Sequence, residues 1–325
     1  MQSSLTFRVF VSSTFDDLAD EREALHRHVF GRLRDLCQSR GCRFQAIDLR
    51  WGISQEASHD QRTMAICLEE IARCQQVTPR PNFVVLLGDR YGWQPVPAEI
   101  PSGEFDLLLG TLDLPDRAYL TEWYERDANA VPPVHVLRAR PAEFSTPARW
   151  EEEVERPLRR ALRRACSAVS MPAAARRKYE TSATEQEIWR GVLDPDLVHQ
   201  APEHVFCFFR EIQSPDGRPI TDLAPFDGRL GRFLDLAASG QVDVQAATRL
   251  SSLKRELRAR LGPDNVHEYT VYWRTDLLTV DHIGALPETL EACLNLEAAP
   301  RVTTLCRDVW NRLSKTILAE IDRVE

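Results

Sequence analysis

The sequence predicts an α/β fold built around a parallel, doubly wound sheet. Three observations carry that expectation. Short apolar runs, FRVFV (7–11), CRFQAIDLRWG (42–52) and NFVVLLGDRYGW (82–93), alternate with stretches whose apolar residues keep helical spacing. The third run is continuously apolar and ends in glycines, the pattern of a strand buried on both faces. At the carboxyl end of each run the chain turns polar, at Ser12-Ser13-Thr14, at Asp48-Leu49-Arg50-Trp51-Gly52 and at Gly88-Asp89-Arg90-Tyr91-Gly92.

The elements follow in order. The first strand is expected to stop at Ser12. From Asp16 to Gln38, the positions Leu18, Leu25, Val29, Leu33 and Leu36 form a helical stripe, which Gly41 closes. A second stripe, Met64, Cys67, Ile71 and Cys74, follows the second strand. The alternation then breaks. Residues 95–178 carry prolines at 95, 97, 101, 115, 132, 133, 141, 147, 157 and 172, and read as a mostly helical insertion on irregular connections. SATEQEIWRGVL (182–193) restores a helix, EHVFCFFREI (203–212) a fourth strand, and 244–261 a helix ending at Gly262. VHEYTVYW (266–273) is the last strand expected, and residues 304–324 form a closing amphipathic helix. The expected organisation is a first half of the α/β core in 1–94, the insertion in 95–178, a second half in 179–280, and a C-terminal helical extension in 281–325.

Composition removes several function classes. The chain of 325 residues is 43% hydrophobic and 28% charged, ordinary values for a globular protein. No stretch approaches the ~18 uninterrupted apolar residues of a membrane span, and no basic segment leads into an apolar run at the start. The cytoplasm is the expected location. The eight cysteines form no tight framework and read as small buried hydrophobes in a reducing compartment. None has the paired spacing of a metal site, so no metal is expected. A net charge of −8 argues against broad nucleic-acid binding. The basic run 156–178 follows EEEVE (151–155), with Glu152–Arg156 and Glu155–Arg159 at i,i+4 spacing. It reads as a solvated, charge-laced helix or as a docking face for an acidic partner. Neither a phosphate loop G-x-x-x-x-G-K-[ST] nor a G-x-S-x-G elbow occurs.

The chemistry is expected at the three polar corners. Right-handed crossovers bring them to one edge of the sheet, where open parallel sheets bind ligands. Thr14 and Asp17 have capping spacing, which leaves Ser12 and Ser13 spare for a polar ligand. In the third corner two glycines allow close backbone approach, while Asp89 and Arg90 can pair with one another. On the helix 182–193, Ser182/Glu185 and Thr184/Glu187 both have capping-box spacing. A helix has a single N-cap, so one glutamate is left to face the cleft. A carboxylate there suits the stabilisation of positive charge at an anomeric carbon.

FRVFVSSTFDDLADERE, DLRWGIS, CLEEIARC, VVLLGDRYGW and TEWYERDANAVPP, with SATEQEI and VFCFFREI, resemble the TIR-like N-terminal module of the NACHT/WD-repeat STAND family. That family includes the telomerase-associated vault protein and bacterial NLR-like relatives. The resemblance implies a flavodoxin-like fold and an effector or signalling role of the innate-immunity kind. It also implies cleavage of the nicotinamide–ribose bond of NAD+, by a glutamate in the helix after the third strand. Motif order and the offset from Ser182 favour Glu187 over Glu185 for that role. Ser12, Ser13 and Thr14 would then hold ribose or phosphate. Arg50, Trp51 and Tyr91 would border the nicotinamide, with Asp89 and Arg90 beside them. NAD+ would be a substrate, with no permanently bound cofactor. The implied partners are further copies of the module and a STAND ATPase in cis or in trans, reached through the helix 304–324. Two readings stay open, an NAD+ glycohydrolase switched on by oligomerisation and a non-catalytic self-association scaffold.

Overall fold

The structure is a computed structural model and describes residues 5–49, 62–78, 80–144, 146–223, 228–237, 239–274, 277–278, 281–287, 289–294 and 304–324. The chain divides into two compact units, one drawn from 1–50, 70–92 and 187–325, the other from 51–69 and 93–186.

The first unit contains the parallel sheet. Its strands are β1 (Thr6–Ser13), β2 (Arg43–Ile47), β3 (Phe83–Leu87), then β7 (Val205–Gln213), β8 (Val266–Arg274) and β9 (Leu277–Leu278). They lie in the order β2-β1-β3-β7-β8-β9. The first five are mutually parallel and β9 pairs antiparallel with β8. Reversal of strand order between β1 and β3 is the flavodoxin-like arrangement, and it fixes the ligand edge at the carboxyl ends of those two strands. Phe7, Val9 and Val11 of β1 face one layer, where they join Leu25, Val29 and Leu33 of the first helical run and Val309, Leu313 and Ile317 of the last helix. On the opposite face Phe10 stacks on Phe83 with ring centroids 5.5 Å apart.

Local sequence explains most element ends. The first helical run spans Ala19–Ala24, a π-helical turn at Leu25–Phe30, and Gly31–Ser39. Gly41, with φ of 69°, turns the chain into β2 in the left-handed region that glycine enters without steric cost. Val244–Leu261 is capped by Asp243, whose carboxylate accepts from the amides of Gln245 and Ala246.

Two expectations at the first corner are corrected. β1 runs through Ser12 and Ser13, which pair with Val85 and Leu86 of β3. Thr14 caps nothing: the first helix starts at Ala19, with Leu18 in the N-cap position and no side-chain cap. The closing helix, Leu305–Val324, also differs from a simple link. Its apolar face lies in the main core, so it is an integral layer of the α/β unit.

The second unit is helical around a small sheet that the sequence reading missed. The strands β4 (Glu99–Pro101), β5 (Tyr124–Asp127) and β6 (Val134–Leu137) form an antiparallel sheet in the order β4-β6-β5. Helices Ser102–Leu109, Leu114–Trp123, Arg156–Ala168 and Ala173–Glu180 contribute Phe105, Leu120, Leu158, Leu162 and Tyr179 to its core. The expected i,i+4 ladder of the basic helix is also altered. A π-helical turn at Glu151–Glu155 precedes it, and Arg159 reaches back to Glu151 at 2.8 Å while Glu155 lies at 3.9 Å. Arg163 donates to the carbonyls of Tyr179 and Glu180, and Arg164 pairs with Asp116. These guanidinium groups serve the unit's own packing.

Candidate functional site

Glu187 meets the first corner directly. Ser12 Oγ donates a hydrogen bond of 2.6 Å to Glu187 Oε2, across 175 positions of sequence. The capping ambiguity on this helix is resolved by the partner of Ser182: its Oγ accepts from the amide of Glu185 at 3.2 Å, three residues on. Ser182 is the cap of Ala183–Ile188, and Glu187 is the carboxylate brought to the sheet. Just beyond it the chain continues as a π-helical turn, Trp189–Leu193, a distortion frequent at functional sites. Gly191 in that turn lies against the ring of Phe83 so closely that any side chain would clash. Ser12 is fully buried and Glu187 is 8% exposed. The contact is an interior one.

The remaining hydroxyls and acids of this edge form a second layer of buried charge. Arg22 Nη1 donates to Ser13 Oγ at 2.6 Å and its other nitrogens hold Asp48, which His26 also meets at 3.0 Å. Arg210 Nη1 donates to the Asp17 carbonyl and, at 2.8 Å, to Glu21 Oε1, while Nη2 lies 3.4 Å from Asp17 Oδ2. His282 Nε2 lies 3.0 Å from the same Glu21 oxygen. Burial pushes Asp17 up to about 6, against the pull of Arg210. Burial also acts on Glu21, but Arg210 and His282 outweigh it and hold that carboxyl below its usual range. Thr14 Oγ1 is buried without a hydrogen bond.

The third corner is clamped from an unexpected place. Asp235 accepts from the amides of Tyr91 at 2.6 Å and Gly92 at 3.1 Å, and Arg90 lies 3.4 Å from both Asp235 and Asp16. Arg90 thus does not pair with Asp89. Asp89 instead accepts from the Ile212 amide at 3.0 Å, and burial raises its pKa despite the nearby Lys254 and Arg210. Tyr91 is buried, so its ring lies inside the unit. Gly88 is required by packing: a Cβ there would fall 2.5 Å from Asp17 Oδ2 and 2.6 Å from Arg210 Nη2.

Of the residues expected at the site, Ser12 and Glu187 are brought into contact. Ser13, Asp89, Arg90 and Tyr91 lie at the same sheet edge but are held by their own neighbours, and Thr14 lies there with its hydroxyl buried. Arg50 and Trp51 lie outside the described residues. Among the described residues no cluster of three or more metal-ligating side chains is present, and no helix is long and apolar enough to cross a membrane.

Comparison with known proteins places this arrangement in context. Residues 8–106 match a family described as a domain of unknown function, DUF4062. The chain is 31% identical over 261 residues to NACHT domain- and WD repeat-containing protein 1 of Mus musculus, covering 79% of the chain and 16% of that protein. The chain is homologous to the NACHT and WD-repeat proteins. It is likewise 29% identical over 296 residues to NACHT and WD repeat domain-containing protein 2 of Homo sapiens, again 16% of the relative. Telomerase protein component 1 of Rattus norvegicus matches 94 residues at 38% identity, 29% of the chain and 3% of that protein. The chain therefore spans about one sixth of the NACHT and WD-repeat relatives it matches. No solved structure matches it. The DUF4062 match runs from β1 to the helix Ser102–Leu109 and so includes Ser12 but not Glu187.

Several residues of this homologue's sheet edge escaped the sequence reading. Arg210 carried a usable signal: a cation inside the apolar run VFCFFREI has to find buried acids, since an unpaired buried charge is prohibitively costly. Asp235 carried none, because it lies in a polar loop far along the chain.

Proposed function

We propose that this chain is the TIR-like effector module of a NACHT protein and that it hydrolyses the N-glycosidic bond of NAD+, with Glu187 as the catalytic carboxylate. One observation supports this above the others: the hydrogen bond from Ser12 to Glu187 puts an oriented acid at the carboxyl edge of β1 and β3, the edge where this topology binds ligands. In the reaction the C1′–N1 bond of the nicotinamide riboside breaks and its electron pair stays on the ring nitrogen, which becomes neutral nicotinamide. The Glu187 carboxylate stabilises the positive charge left at C1′. Water then adds to C1′ and gives its proton to Glu187, yielding ADP-ribose. The hydrogen bond from Ser12 to Glu187 Oε2 orients the carboxylate at this edge.

Glu187 is 8% exposed, so substrate reaches it only after a rearrangement. That requirement ties activity to assembly, through self-association driven by a STAND ATPase in cis or in trans, in a cytoplasmic innate-immune response. A second reading has its own observation. Ser13, Arg22 and Asp48, and likewise Glu21 and Arg210, are paired within the chain, as they would be in a non-catalytic scaffold. The test is to force the chain into oligomers, add NAD+, and follow both products. Nicotinamide and ADP-ribose in equal amounts support the enzyme. Absence of both from assembled, folded protein leaves the scaffold.

A further inference from the structure

The second unit has a cavity of about 520 Å³, within the range of small-ligand sites, that the Ser12–Glu187 reading does not use. Its walls combine three chemistries. Trp93 supplies an aromatic face that is 41% exposed. Its indole nitrogen donates to both oxygens of the buried Glu155 carboxylate at 3.1 and 3.2 Å, so the ring is locked in one orientation. Arg62, Arg140 and Lys178 supply cations. Lys178 is already paired with Glu104 at 2.9 Å, which leaves the two guanidinium groups. Arg140 makes no direct salt bridge among the described residues, and its Nε is buried without a hydrogen bond. Arg62 is exposed at the start of the helix Thr63–Val77, whose opening residues also line the cavity. The first amides of a helix have no acceptor within it and favour an anion. Finally, Glu69 and Glu99 place carboxylates in the same walls, suited to accept from hydroxyl groups.

We propose that this cavity is a nucleotide-binding site, with the base stacked on Trp93, the phosphates on Arg62 and Arg140, and the ribose hydroxyls on Glu69 or Glu99. A planar base matches an aromatic face held rigid before binding. A phosphate matches guanidinium groups, which engage it in a bidentate fork. A free sugar would leave the cations without a counter-charge, and an inorganic anion would leave the indole face uncovered. The inference is independent of NAD+ hydrolysis, since no residue of the Ser12–Glu187 pair lines this cavity.

The probe is ADP, titrated by calorimetry into the 325-residue chain, with adenosine and inorganic phosphate as separate arms. Saturable ADP binding is expected, weakened about tenfold or more in Arg62→Glu, because a charge-assisted contact to phosphate is replaced by repulsion. Arg62 is exposed, so that variant keeps the fold. Adenosine and phosphate should each bind at least about tenfold more weakly than ADP. Loss of affinity in Arg62→Glu assigns the binding to this cavity. No saturable ADP binding, equal affinity in Arg62→Glu, or binding of phosphate alone as tight as ADP would each overturn the assignment.

Discussion

At the scale of single residues, buried charge decides how this protein responds to pH. Asp17 has its pKa raised to about 6 from an ordinary 3.8, so the folded chain holds that proton more tightly than the unfolded one. Its effect is opposite in sign to that of a carboxylate stabilised by an ion pair. It opposes folding above about pH 6, and the opposition is relieved as pH falls towards 3.8. Glu155, raised to about 7 by burial and the neighbouring Glu151, acts in the same direction over a higher window. Glu21, held low, loses its contribution only at more acidic pH. Denaturant titrations from pH 7.5 down to 5 should therefore show stability steady or rising, with a shallower rise in Asp17→Asn. An identical slope in that variant would show that Asp17 is ionised in the folded chain. The sequence made Asp17 a capping residue, and short-range spacing allowed no other reading. Its true partner, Arg210, lies 193 positions away on β7.

At the scale of elements, the distorted helix that carries Glu187 depends on a close approach to the sheet. Gly191 permits it, and in Gly191→Ala the added methyl would overlap the Phe83 ring, a buried side chain with nowhere to move. We expect a loss of about 1–3 kcal/mol, as for other overpacked cores, read as a lower denaturation midpoint with an unchanged slope. A variant as stable as the parent would mean that this turn is not pressed against β3. The strands of the large sheet were legible because continuous apolar runs such as NFVVLLGDRYGW have few other solutions. β4, β5 and β6 were not, for a physical reason. They have three or four residues each, and β4 ends on Pro101, so neither periodicity nor run length can reveal them.

At the scale of the whole molecule, the last helix and the catalytic proposal each make a demand. Leu305–Val324 buries Leu305, Val309, Trp310, Leu313 and Ile317 in the main core. A chain ending at residue 303 should lose cooperative unfolding and accumulate insoluble, and a soluble, cooperatively folding truncation would return that helix to the role of a connector. Amphipathic periodicity announced the helix, but could not say that its apolar face was already claimed by Leu25, Val29 and Leu33. Function was less legible than fold. Motif order led to Glu187, yet no residue pattern signals that the acid is enclosed or that Arg22 and Arg210 hold the neighbouring acids. The most direct test is the rate of nicotinamide release from NAD+ by the oligomerised chain compared with oligomerised Glu187→Gln of equal thermal stability. Catalysis by this carboxylate predicts a fall of at least about 100-fold, the range expected for removing a catalytic acid–base group. Equal rates from the two proteins would contradict it.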